Sequence, residues 1–124
     1  MENLIIEASK YTPAVDFDSD KNSLKISGKS TPENTFEFFT PITEWIKEYF
    51  STAQTTEVIF NIPYFNSSSS RVFYDIFDLL EEALDGGSSL DVKWEYAAEN
   101  ENGLETGEEF QEDFEALKIA LVKL

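Results

Sequence analysis

The chain has 124 residues, 25 acidic and 9 basic side chains, a formal net charge of −16, and neither His nor Cys. Those absences exclude disulfides, thiolate nucleophiles, zinc–thiolate sites, haem with an axial His and a Ser-His-Asp triad, and the charge argues against DNA, RNA or anionic lipid as partners. The length suits one domain over residues 1–124, with 11 Phe, five Tyr and two Trp to fill its core.

Leu4 to Ile6 is a short apolar strand. Pro13, Val15 and Phe17 alternate with Ala14, Asp16 and Asp18, the period of a half-buried strand. The polar run Asp18–Asn22 turns the chain, and Leu24 and Ile26 return it as a hairpin that Gly28 ends or bends. Pro32 can open a helical turn over Glu33 to Phe39. A proline inside a helix lacks an N–H and clashes with the preceding turn, so the main helix is expected after Thr40, with Pro41 in its first position. Ile42, Trp45, Ile46 and Tyr49 form its apolar stripe; Glu44, Lys47 and Glu48 form its wet side.

The polar run Ser51–Thr56 leads into Glu57–Phe65, the strongest strand, whose ladder Pro63 should end or bulge. After the polar run Asn66–Ser70, the spacing of Val72, Phe73, Ile76, Phe77, Leu79, Leu80 and Leu84 predicts a helix from Arg71, stopped by Gly86 and Gly87. Leu90–Tyr96 is a strand. Asn100–Gly103 reads as a loop. Thr106 and Glu109 have capping-box spacing, so a short acidic helix runs toward Phe114. Ala116–Leu124 closes the chain as a strand. The order β-β-β-α-β-α-β-α-β defines an α/β protein, α+β-like, with a mixed sheet covered by helices.

The apolar runs Val58–Ile62 and Ile119–Val122 fall far short of the ~20 residues that span a bilayer. The opening stretch MENLIIEASKYTP has no positive n-region or long apolar h-region. A soluble cytoplasmic protein without membrane insertion is the expectation.

Asn66, Ser67, Ser68, Ser69 and Ser70 stand between a strand and a helix. Their oxygens serve as ordinary caps for the orphan N–H groups of a first turn, or the surplus hydroxyls include a phosphorylation site. Free N–H groups and the helix dipole stabilise a phosphate dianion there, while the surface gains about −1.5 to −2 charges. Arg71 either pairs with Asp75 one turn along the helix or grips a phosphoserine bidentately.

From Glu95 to Glu115 there are nine acidic side chains and no Lys or Arg. Glu105, Glu109 and Asp113, together with Glu108, form either a solvated surface or a partner-docking face. No calcium-loop pattern and no Gly-rich phosphate loop occurs, so neither metal nor cofactor is expected. Three functions from different classes follow. These are a phosphorylation switch, an acidic adaptor or nucleic-acid mimic, and a small carboxylate-dependent enzyme, for which the short chain offers no cleft-forming insertion.

The segment STPENTFEFF (Ser30–Phe39) with Trp45 and Tyr49, YFNSSSSR (Tyr64–Arg71), WEY (Trp94–Tyr96) and GEEF (Gly107–Phe110) occur in this order. Together they resemble the SiaC-like bacterial regulatory phosphoproteins, STAS-like domains related in shape to anti-anti-sigma factors. The resemblance spans about Thr12 to Phe114. It implies a non-enzymatic partner switch without cofactors. A protein kinase modifies the hydroxyl residue after the motif Asn, a PP2C-type phosphatase reverses this, and the unmodified form activates a diguanylate cyclase, linking it to cyclic di-GMP and biofilm behaviour. By position the acceptor is Ser67, where the family commonly has Thr; Asn66 and Ser68 match the flanks.

Overall fold

The computed structural model describes residues 1–124. Its strands are β1 (Leu4–Ile6), β2 (Ala14–Asp18), β3 (Ser23–Ser27), β4 (Thr55–Asn61), β5 (Ser89–Tyr96) and β6 (Ala120–Lys123). The helices are α1 (Thr35–Tyr49), α2 (Ser67–Asp85) and α3 (Glu101–Asp113). The element order is the one the patterning predicts. The six strands lie side by side in chain order. β1, β2 and β3 pair antiparallel, and β3 to β6 pair parallel. Each parallel step needs a crossover, and each crossover is a helix. Right-handed crossovers that always step in the same direction place all three helices on one face.

The period-2 pattern agrees. Val15, Phe17, Leu24, Ile26, Val58, Phe60, Val92 and Trp94 are buried beneath the helices, while Asp16, Lys25, Glu57, Ile59 and Lys93 line the other face. On that open face Lys93 Nζ lies 2.8 Å from a Glu57 oxygen and 3.5 Å from an Asp91 oxygen. These carboxylates raise the Lys93 pKa. The core is a single cluster of 22 residues. Trp45 is buried as the helical spacing requires, 9% exposed, and its indole N–H donates to the Glu2 carbonyl. At its centre Phe60, Phe77, Phe110 and Trp94 stack and tilt against one another, and Phe73 meets Phe60 edge-to-face.

Several expected boundaries differ. β4 runs over Thr55–Asn61, starting two residues before and ending four residues short of the expected Glu57–Phe65. The others have local reasons. α1 runs unbroken through Pro41. Its start is held by a reciprocal cap, in which Glu37 N–H donates to Asn34 Oδ1 at 3.0 Å and Asn34 Nδ2 donates to Glu37 Oε2 at 3.1 Å. Pro41 faces solvent, and the Thr40 hydroxyl ties back to the Phe36 carbonyl at 2.7 Å. The separate turn at Glu33–Phe39 is therefore the first part of α1. α2 begins at Ser67, not Arg71, because Asn66 caps it. α3 begins at Glu101 beneath the cap of Asn100, whose Oδ1 accepts Gly103 N–H at 3.0 Å. Asn100–Gly103 is thus the cap and first turn, and Thr106 sits mid-helix. The last strand is shorter than expected. Glu115–Leu117 forms a 3₁₀ turn ended by Lys118 at φ 50°, and the strand starts at Ala120.

Candidate functional site

The strand-to-helix junction after β4 is built by a clasp from a distant segment. The β4 ladder ends at Asn61, two residues before Pro63, and beyond the proline the chain pairs with residue 30. Ser30 N–H donates to the Tyr64 carbonyl at 2.9 Å, and Asn66 N–H donates to the Ser30 carbonyl at 3.1 Å. That isolated parallel bridge, Ser30 with Phe65, delivers Asn66 to the cap position in extended geometry, φ −83° and ψ 172°. Its Oδ1 accepts Ser69 N–H at 2.9 Å, and its carbonyl accepts Ser70 N–H at 3.0 Å.

The four serines then separate. Ser69 is fully buried; its hydroxyl donates to the Ser30 carbonyl at 3.1 Å and lies 2.9 Å from Ser30 Oγ. Ser68 is exposed but engaged, with Oγ 2.7 Å from Thr35 Oγ1 and donating to Asn66 Oδ1 at 3.2 Å. Ser70 is half-buried. Ser67 is exposed, and its hydroxyl makes no hydrogen bond within the chain. The backbone N–H groups of Ser67 and Ser68 have no acceptor.

Charge distinguishes this helix start from the other two. α1 carries Glu37 and α3 carries Glu101 in the first turn; α2 carries no acid there. In a chain of 25 acidic residues, the positive end of α2 alone lacks its usual counter-charge. Arg71 is exposed and makes no ion pair, so the Asp75 pairing is not formed. Lys29 lies with Nζ 6.0 Å from the Tyr64 ring centroid. Two of the large exposed apolar side chains flank the junction in the chain, Phe36 at 82% and Tyr64 at 60%.

The acidic residues sit elsewhere. Glu105, Glu108, Glu109 and Asp113 are all exposed on α3, and none bonds to residues 66–71. Asp113 is tied to α2, accepting the Tyr74 hydroxyl at 2.6 Å. That bond, with partial burial and the nearby Asp113 and Glu109 charges, pushes the Tyr74 pKa up to about 12. No deep cleft gathers a carboxylate pair. A groove of about 440 Å³ beside the start of α1 is shallow, and its Glu33 and Glu37 are exposed. Ser30 and Thr35 complete the junction although periodicity gives no sign of either. Their only trace in the sequence is the STPENT segment that takes part in the family resemblance.

A sheet in sequential strand order with helices over one face, presenting a hydroxyl-rich helix start beyond the C-terminal end of its interior strand β4, defines a STAS-like regulatory domain. The family model for SiaC family regulatory phosphoproteins matches residues 6–124, and the chain belongs to that family. Such proteins regulate by binding and are not enzymes. A Pseudomonas aeruginosa (strain UCBPP-PA14) protein named only as uncharacterised is 37% identical over 114 residues, covering 91% of this chain and 90% of its own length. The fold also matches a chain of the crystal structure of diguanylate cyclase SiaD in complex with its activator SiaC from Pseudomonas aeruginosa. The TM-score there is 0.92 at 34% identity, over 98% of this chain and 99% of that one. Apo-SiaC from the same organism matches with a TM-score of 0.83 at 31% identity, over 99% and 98% of the two chains. No helix is long and apolar enough to cross a membrane.

Proposed function

We propose that this protein is a phosphorylation-controlled partner switch: unmodified, it binds and activates a diguanylate cyclase; a protein kinase releases the cyclase by phosphorylating Ser67, and a PP2C-type phosphatase restores binding. The similarity to SiaC, which the solved complex names as activator of SiaD, supports the cyclase as partner. The observation that carries the switch is the state of Ser67. It is the exposed serine of the run with an unbonded hydroxyl, at the one helix start without an acidic residue.

Electrostatics explains why phosphate alters binding and not folding. Attraction to the free N–H groups and the positive helix end is worth about 0.3–1 kcal/mol at an exposed position. Repulsion from the acidic surface is screened beyond about 8–10 Å. The domain therefore tolerates the modification. A partner seated over the junction, in contact with Phe36 and Tyr64, must instead desolvate a dianion that its surface was not built to receive. A cost of about 2.7 kcal/mol lowers affinity about 100-fold. Arg71 stands one turn along the helix from Ser67 as a partner for the phosphate, and the α3 carboxylates Glu105, Glu108, Glu109 and Asp113 offer a separate face for basic partner residues.

The test is binding of the cyclase and the kinase to wild type, Ser67→Ala and stoichiometrically phosphorylated protein, with a melting curve for each. Cyclase binding should survive in Ser67→Ala and fall about 100-fold on phosphorylation, at unchanged melting temperature. Equal cyclase binding by all three forms refutes the switch. Binding to basic partners that ignores Ser67 altogether identifies the acidic adaptor instead.

A further inference from the structure

Four consecutive serines present a kinase with the same functional group four times, and the family motif does not by itself say what keeps phosphate off three of them. We propose that Ser30 helps select the acceptor: by holding Ser69 inward it withdraws that serine from the kinase and keeps the first turn of α2 in the orientation that exposes Ser67. The proposal rests on Ser67 as the site of modification and adds a residue that helps select it.

The geometry is that of a helix pinned at one point. Successive residues are turned 100° about the axis, so Ser67 and Ser69 are separated by 200° and face nearly opposite ways. Ser69 is pinned by three bonds. Its N–H goes to Asn66 Oδ1 at 2.9 Å, its hydroxyl goes to the Ser30 carbonyl at 3.1 Å, and its Oγ lies 2.9 Å from Ser30 Oγ. Since the Ser69 proton is committed to the carbonyl, the Ser30 hydroxyl is the donor between the two. Ser30 and Ser69 are both fully buried. The Asn66 cap closes the same turn, and Ser69 continues the buried stripe of Phe73, Ile76, Phe77 and Leu80, so Ser30 is the polar partner that satisfies a hydroxyl at that core-facing position. Ser68 is held back separately by Thr35.

Phosphoryl transfer requires the acceptor oxygen in line with the γ-phosphorus of ATP. A bond forms between Oγ and that phosphorus, its bond to the β–γ bridging oxygen breaks, ADP leaves, and the hydroxyl proton passes to the kinase's base. Ser69, without accessible surface and with its proton committed, cannot reach that geometry. Ser67 can. Loosening Ser30 frays the first turn, and the serines become alternative acceptors.

The test is phosphosite mapping by tandem mass spectrometry on full-length wild type, Ser30→Val and Ser30→Ala, each recovered from cells containing the native kinase. Amide hydrogen exchange at Ser69 and Ser70 is measured on the same proteins. Ser30→Val removes the hydroxyl and crowds Ser69. The share of phosphate on Ser68–Ser70 should rise about tenfold, with exchange at Ser69 and Ser70 faster by a similar factor. Ser30→Ala keeps the backbone bonds and should give about threefold on both readouts; it decides the matter if the valine variant does not fold. Phosphate confined to Ser67 in the folded variants despite faster exchange overturns the proposal while leaving Ser67 as acceptor. Wild type modified elsewhere, or not at all, refutes the acceptor itself and the selection with it.

Discussion

α2 and α3 both begin with an asparagine cap, yet the two helix starts are built for opposite purposes. At α3 the first turns are wedged into the core. Gly103 and Gly107 are buried, the Trp94 indole donates to the Gly103 carbonyl at 3.0 Å, and Glu101 supplies the negative charge the helix end favours. At α2 one serine is drawn inward and its neighbours remain at the surface, with no acid in the first turn. A helix start that is packed and neutralised is structural. One that is capped, accessible and left positive can accept a charge without loss of the fold.

Several substitutions would break or sharpen that contrast. The largest effect on stability belongs to α3. A Cβ on Gly107 would stand 2.6 Å from Leu121 Cδ2 and 2.7 Å from Trp94 Cδ1. Gly107→Ala should cost about 1–3 kcal/mol by overpacking, read as a lower urea midpoint. An unchanged midpoint would mean that α3 is not wedged. Next come the caps. Asn66→Ala and Asn100→Ala should each cost about 1 kcal/mol, but only Asn66→Ala should change the extent or position of phosphorylation. An equal effect of Asn100→Ala on modification would erase the functional difference between the two helix starts.

Adding the missing charge tests the electrostatic half. Ser67→Asp should stabilise the fold by about 0.3–1 kcal/mol at low salt while weakening cyclase binding; destabilisation would show that the end of α2 is not positive in effect. The smallest effect is alkaline. The Tyr74 pKa is raised from 10.0 to about 12, first by its bond to Asp113 and then by partial burial. The folded state holds the proton more tightly, so this contribution is complete below pH 10 and is lost as pH rises toward 12. In Tyr74→Phe that part of the alkaline decline in melting temperature should disappear, with no change in phosphorylation.

The element order was legible in the sequence because it rests on local rules. Val15 and Phe17 alternate as a strand must, Ile42, Trp45, Ile46 and Tyr49 recur as a helix stripe must, and Pro63, for want of an N–H, lies outside the β4 ladder. Asn66 followed by serines marked a helix start for the same reason. Boundaries were less legible where one local signal opposed another. The Asn34–Glu37 cap outweighs Pro41, since a reciprocal cap satisfies donors at the helix start while the proline loses one bond on the exposed side. Asn100–Gly103 suggested a loop and the Thr106–Glu109 spacing a late helix start, whereas Gly103 packs against Asn100 and Tyr96 and Gly107 marks the close approach of Trp94.

What only the tertiary structure decided is how one serine of the run is withdrawn and bonded. Composition presents Ser67, Ser68, Ser69 and Ser70 as equals, and the family resemblance names Ser67 without a physical cause. Ser69 is set apart by a contact across 39 residues of chain, Ser30 to Ser69. Ser69 falls in phase with the buried stripe, four residues before Phe73, but the period does not record which group satisfies a buried hydroxyl. That partner exists only once the sheet has brought residue 30 beside the end of β4.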